Sequence, residues 1–244
     1  MIPGARPLPR WWLLILCLVM YPHSLGAQCT TNSQTTTCRF PGLVVSSTAE
    51  HMEVTGLGAP WIIDLNRLPL LKADCAGACS GIRTGKYCVG SCDAHWPPGA
   101  FAYHPATGNF YFAISTDVAK NRPYVILRAN TLTRQVYRIG ATWGAGVGTP
   151  AEVSPSGRFL AYSSAYTAGF CDYDSWIEVV DLQTLKQAFE LGHHPQEGTV
   201  SVRWVSETKL EIRGEQKNKP TCETGSPTTR SLDITSLDWD KKRE

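Results

Sequence analysis

The chain has 244 residues, 43% of them hydrophobic and 18% charged, with 21 glycines, 16 prolines and nine cysteines. That composition belongs to a globular chain and excludes the collagen-like, coiled-coil and disordered classes. Basic residues number 23 against 21 acidic ones, and no basic block is longer than Lys241 to Arg243, which argues against nucleic acid as a partner.

Residues 1–27 read as a secretory signal peptide. Arg6 and Arg10 give a positive start, Trp11 to Tyr21 is an apolar run of eleven, and Ser24, Leu25, Gly26 and Ala27 supply a cleavage site. Pro22 and His23 stop the run short of the roughly 20 residues that a membrane span needs. The expectation is an extracytoplasmic protein, periplasmic or secreted, with no stable membrane insertion after cleavage. Removing the signal leaves 21 charges of each sign and eight cysteines over residues 28–244.

Eight cysteines in an oxidising compartment predict four disulfides, and no metal is assigned to them. Cys29 and Cys38 pair most simply across the polar stretch between them. Cys75, Cys79, Cys88 and Cys92 form two C-x-x-x-C units in a Gly-rich insertion at 73–96. Four thiolates at that spacing, with His95 nearby, also suit a structural zinc site, so a metal-binding protein centred on this cluster is one alternative. Export favours cystines instead.

Further along, the chain compares with itself. LVVSSTAEHMEV and WIIDLNRLPL form a first weak unit, and a second runs from Pro98 through HPATGNFYFAIS and YVILRANTLTRQVYRI. A third starts at Pro150 with SPSGRFLAYSS and SWIEVVDLQTLKQAFEL, and a fourth starts at Val200. The expected third-strand starts, Trp61, Tyr124, Trp176 and Arg230, are 63, 52 and 54 residues apart, the long interval holding the cysteine insertion. This order predicts an all-β, propeller-like array of about four antiparallel four-stranded blades, disulfide-stapled, as a single domain over 28–244. Leu182 to Leu191 has helical spacing, but its place after a VVDL strand reads as a turn and a fourth strand. WGAGVG (Trp143 to Gly148) reads as a connection between blades, and His193 and His194 as a surface turn.

At SPSGRFLAY followed by IEVVDLQTLK the chain resembles the WD40-like (TolB-type, PD40) β-propeller repeats of extracytoplasmic proteins. Ser154, Pro155 and Gly157 match the Ser-Pro-Asp-Gly turn of those repeats, with Ser156 in place of the Asp. Asp181 and Leu182 match the end of the third strand, and His104, Pro105 and Gly108 match the turn with one extra residue. The resemblance implies an architecture and transfers no catalytic residue.

On the repeat, Cys171 and Cys222 fall in the same loop of consecutive units, which predicts that they are bonded. Asp117, Asp172, Asp174 and Glu223 fall in the corresponding loops between second and third strands. With Tyr173 and Trp176 they would make one face acidic and aromatic, suited to a protein or carbohydrate partner. The leading expectation is therefore a binding or scaffolding protein. An extracytoplasmic hydrolase or lyase using the acidic face is the second alternative, although no nucleophile elbow, P-loop or H-E-x-x-H motif is present and no cofactor is implied. An open ring would leave sheet edges able to pair, which admits a homo-oligomer.

Overall fold

The computed structural model describes residues 27–32, 34–69, 98–115, 124–142, 149–169, 172–190, 194–195, 197–217 and 223–239. Four antiparallel sheets follow one another along the chain. The first holds β1 (Gln28–Thr31), β2 (Thr36–Phe40), β3 (Leu43–Ser47), β4 (His51–Thr55) and β5 (Trp61–Asp64). The second holds β6 (Ala100–His104), β7 (Asn109–Ser115), β8 (Tyr124–Asn130) and β9 (Gln135–Thr142). The third holds β10 (Ala151–Val153), β11 (Phe159–Gly169), β12 (Asp172–Asp181) and β13 (Gln187–Phe189), with β14 (His194–Pro195) pairing the start of β12. The fourth holds β15 (Glu197–Trp204), β16 (Lys209–Lys217) and β17 (Thr224–Asp233). Among the described residues the only helical elements are short 3-10 turns at Leu65–Arg67 and Ile234–Ser236.

Sequence pattern separates the outer sheets from the inner ones. In β2 and β3 buried residues alternate with less buried ones, the pattern of a sheet with one covered face. In β7, Phe110 to Ala113 are all buried, and in β12 Trp176 to Asp181 are all buried, because the second and third sheets are covered on both faces. Three clusters of buried apolar side chains fill the gaps between successive sheets. Leu43, Met52, Phe110 and Phe112 belong to the first, Phe101, Tyr111, Leu160 and Val180 to the second, and Ile177, Trp204, Leu210 and Ile212 to the third. Burying each of these large side chains contributes about 1.5–3 kcal/mol. Strands at or next to the leading edge are neighbours: β2, the second strand of the first sheet, lies against β6, and the first strands of the other sheets follow, β6 against β10 and β10 against β15. Meander sheets packed face to face along these edges make a propeller-like array.

The turns explain why the strands reverse where they do. Between β6 and β7 and between β10 and β11, Gly108 and Gly157 adopt φ of +66° and +79°, conformations that a side chain would strain. A Cβ on Gly157 would also lie 3.0 Å from the His104 ring of the neighbouring sheet. After the third strands a second device recurs. The Asn130 side-chain oxygen accepts the amides of Leu132 and Thr133 at 3.0 and 2.8 Å, and that of Asp181 those of Gln183 and Thr184 at 2.9 and 3.3 Å. The next amide docks on the earlier turn: Thr131 N donates to Gly108 O and Leu182 N to Arg158 O, each at 2.8 Å. Arg134 and Leu185 then take left-handed φ and the fourth strand starts. In the fourth sheet Asp233 accepts from Thr235 N, and Ile234 N donates to Thr208 O at 2.9 Å. There the chain enters a 3-10 turn instead. Trp239 Nε1 donates to Ile234 O at 3.1 Å, and its ring packs 5.7 Å from that of Phe159.

Several sequence expectations meet the structure here. Phe159 to Ser163 pair with Asp181 to Ile177 in one sheet, and the Leu182 segment is a turn followed by β13. Tyr124 opens β8, and Trp176 and Arg230 lie within third strands, but Trp61 opens β5, the last strand of a five-stranded sheet. The first unit starts earlier than its apolar core suggested, because Thr36, Cys38 and Phe40 of the polar-looking TTCRF also turn inward. The sheets accordingly hold five, four, five and three strands, not four each. His194 and Pro195 form a short strand on β12 where a turn was expected. Cys29 and Cys38 sit opposite each other across β1 and β2 and form a disulfide. Cys75, Cys79, Cys88, Cys92, Cys171, Cys222, His193 and the WGAGVG segment lie outside the described residues.

Candidate functional site

The two ends of the sheets differ in construction. At one end lie the turns between first and second strands, and they touch their neighbours. His104 Nδ1 is 3.0 Å from Thr107 Oγ1 beside Gly157, and burial lowers the His104 pKa against the opposing pull of the Pro155 carbonyl and the Glu207 charge. Glu207, from the β15–β16 turn, accepts Ser154 Oγ at 2.8 Å and Ser156 N at 3.2 Å, and also accepts the Ser156 hydroxyl. The turn with Ser156 in the Asp position therefore takes its carboxylate from the next sheet. Burial works to raise the pKa of Asp181, but hydrogen bonds from the Arg158 guanidinium, at 2.9 Å, and from two turn amides outweigh it and hold the carboxyl below its ordinary range.

Antiparallel meanders put the connections β7–β8, β11–β12 and β16–β17 at the opposite end. Asp172, Tyr173 and Asp174 are not in a loop as expected but are the first three residues of β12, paired with Gly169, Thr167 and Tyr166 of β11, because the two strands stay hydrogen-bonded to their ends; Glu223 is exposed just before β17. Asp117 lies outside the described residues. Trp176 is not on the surface: it is 4% exposed, and its indole Nε1 donates to Glu178 at 2.8 Å. With Ser164 opposite it in β11, Trp176 belongs to the gap between the second and third sheets.

That gap and the next one each change from apolar to polar toward the connection end. Between the second and third sheets, Tyr162 Oη donates to Glu178 Oε2 at 2.7 Å, and Gln187 Nε2 donates to Tyr162 Oη and to Ala141 O. Thr142 and Ser164 place their hydroxyls 3.1 Å apart across the gap. Burial raises the Glu178 pKa against these donors, and burial first, then the Glu178 charge, pushes the Tyr162 phenol well up. Between the third and fourth sheets, Arg230 Nη1 donates to Glu190 at 2.6 Å and its Nε lies 3.5 Å from Glu197 Oε1. Ser175 Oγ donates to Glu197 O at 2.6 Å, and Trp204 donates its indole N–H to Glu152 O at 3.0 Å. Sequence reading missed Glu178, Glu190, Glu197 and Glu207, and knew Arg230 only as a strand start. The signal for Glu178 was present: a carboxylate inside the otherwise apolar run WIEVV.

Among the described residues no group of His, Cys, Asp and Glu could hold a metal ion, and no helix is long and apolar enough to cross a membrane. No family model and no curated protein matches the chain. Among solved structures it is similar to the tricorn protease, with a TM-score of 0.44 and 8% identity over 87% of this chain and 23% of that one. It is also similar to the hydrazine synthase of Kuenenia stuttgartiensis, with a TM-score of 0.43 and 12% identity over 84% of this chain and 58% of that one. The chain thus spans less than two thirds of either protein, and similarity at this level assigns neither family nor activity.

Proposed function

We propose that the chain is an exported, disulfide-bonded binding or scaffolding module built of WD40-like blades, which recognises a protein or carbohydrate partner at the end carrying the β7–β8, β11–β12 and β16–β17 connections. The observation supporting this reading is that three inter-sheet cores hold successive sheets face to face. The buried Glu152 and Glu178 and the half-buried Glu207 and Arg230 serve that frame by linking one sheet to the next or filling the gap between them. Asp172 and Asp174 carry the recognition in this proposal, with Glu223, Tyr173 and Asp117 beside them.

The test is the double substitution Asp172→Ala with Asp174→Ala in the full chain, read on a glycan array and by capture from an extracytoplasmic extract. The expected result is loss of a defined ligand with an unchanged melting temperature. Turnover of a glycan or phosphoester panel by the parent chain, abolished by the same double variant, would establish the hydrolase or lyase alternative instead. Intact mass after alkylation addresses the cysteine insertion: uptake of no reagent by the unreduced chain is expected, whereas modification of Cys75, Cys79, Cys88 and Cys92 together would favour the metal-binding reading.

A further inference from the structure

Glu178 is fully buried in the gap between the second and third sheets, and among the described residues the groups that hydrogen-bond it are neutral. From β11 come the Tyr162 hydroxyl and Ser164, from β12 the Trp176 indole, and from β9 Thr142; Gln187 of β13 holds Tyr162 in turn. Tyr162 is the only other titratable group in the cluster, and no charged side chain among the described residues acts on Glu178. Hydrogen bonds to a charged group contribute about 1.5–3 kcal/mol each. Taking a carboxylate out of water costs several kcal/mol, and no guanidinium or ammonium stands opposite to offset it.

The geometry serves either protonation state. As an anion, Glu178 accepts Tyr162 Oη on one oxygen and Trp176 Nε1 on the other. As an acid it needs one acceptor for its proton, and the Thr142–Ser164 hydroxyl pair, in which either oxygen can donate, supplies one by rotation. Thr142 belongs to the second sheet and Ser164 to the third. The protonation state of Glu178 therefore sets the direction of the hydrogen bonds that cross between them.

We propose that Glu178 is a proton-operated latch: acidification protonates it, removes its buried charge from the gap, and tightens the packing of the second sheet on the third. The sign follows from linkage. A carboxyl that holds its proton more tightly in the folded chain than in the unfolded one stabilises the fold as pH falls, whereas the turn carboxylates Asp181 and Asp233, held low, act the other way. Each tenfold gain in proton affinity on folding corresponds to about 1.4 kcal/mol.

The experiment measures melting temperature against pH, from about pH 8 to about pH 4, for the parent chain and for Glu178→Gln. Subtracting the two curves cancels the other carboxylates. The expected difference favours Glu178→Gln at the alkaline end and shrinks as the parent chain takes up its proton. Identical pH slopes would overturn the proposal. If Glu178→Gln does not fold, Tyr162→Phe takes its place. Loss of a donor to the anion moves the parent transition to higher pH, and an unmoved transition counts against the latch. Isotope-edited infrared spectroscopy of the glutamate carboxyl reads the protonated band directly, and a Glu178 that stays ionised down to about pH 4 also overturns it.

Discussion

The gap between the second and third sheets and the gap between the third and fourth both bury carboxylates, but they do so in different ways. In the last gap Arg230 sits between Glu190 and Glu197, and opposite charges share the burial. In the middle gap Glu178 has neutral donors alone. A guanidinium makes its gap intolerant of losing one partner. Neutral donors leave the other gap without an opposing charge, which is what the proposed latch uses. Two interfaces of one small array thus differ in kind, although their apolar floors are built alike.

The largest break in that comparison is expected from Arg230→Met. It leaves two buried carboxylates without their guanidinium and should cost about 3 kcal/mol, read as a fall in the denaturant midpoint. Replacing both Cys29 and Cys38 by serine acts on the first sheet and should cost about 2.5 kcal/mol on the chain-entropy model. It should leave the pH response of the middle gap untouched, which separates general loosening from a local effect. Tyr162→Phe removes a hydroxyl that serves Glu178 and Gln187 together, and should lower stability by about 1.5 kcal/mol.

Smaller effects sharpen the picture at the turn end. Ser156→Asp restores the residue usual in such turns, yet should destabilise by about 1 kcal/mol, because Glu207 already supplies the carboxylate. In a Glu207→Ala background the same substitution should stabilise, and a double-mutant cycle reads the sign change. Asp181→Asn should cost about 0.5–1 kcal/mol at neutral pH. The Asp181 carboxyl is held low, so its contribution is present above the unfolded carboxyl range and fades as pH falls through the folded value. The parent and the variant should converge in strong acid from a parent that is the more stable at neutral pH, whereas with Glu178→Gln the variant is the more stable before the two converge.

Local chemistry made much of the architecture legible. Continuous apolar runs such as FYFAI and IEVV marked the doubly covered strands, and the SPSGR and HPATG turns gave the reversals. The Asp181-Leu182 pair marked a third-strand end, because its side chain caps the next turn. The first sheet was misread because Thr36 and Cys38 bury polar or thiol atoms that a hydrophobicity pattern does not flag. The pairing of Cys29 with Cys38 was legible because a polar stretch of fitting length joins them. Sheet-to-sheet contacts were not legible: Glu207 reaches Ser154 and Arg230 reaches Glu190 across 53 and 40 residues of sequence. Trp176 followed the same rule, since an aromatic beside acidic residues looks like a ligand platform until its strand partner places it inside.

Trp239 returns to a ring made eighty residues earlier, that of Phe159. During synthesis, then, the first three sheets can complete their shared cores before the chain has been extended far enough to bolt on the fourth. A nascent chain stopped short of Trp239 should retain the earlier sheets while Phe159 stays partly uncovered, so the docking of this indole is an optical marker for the fourth sheet settling on the third.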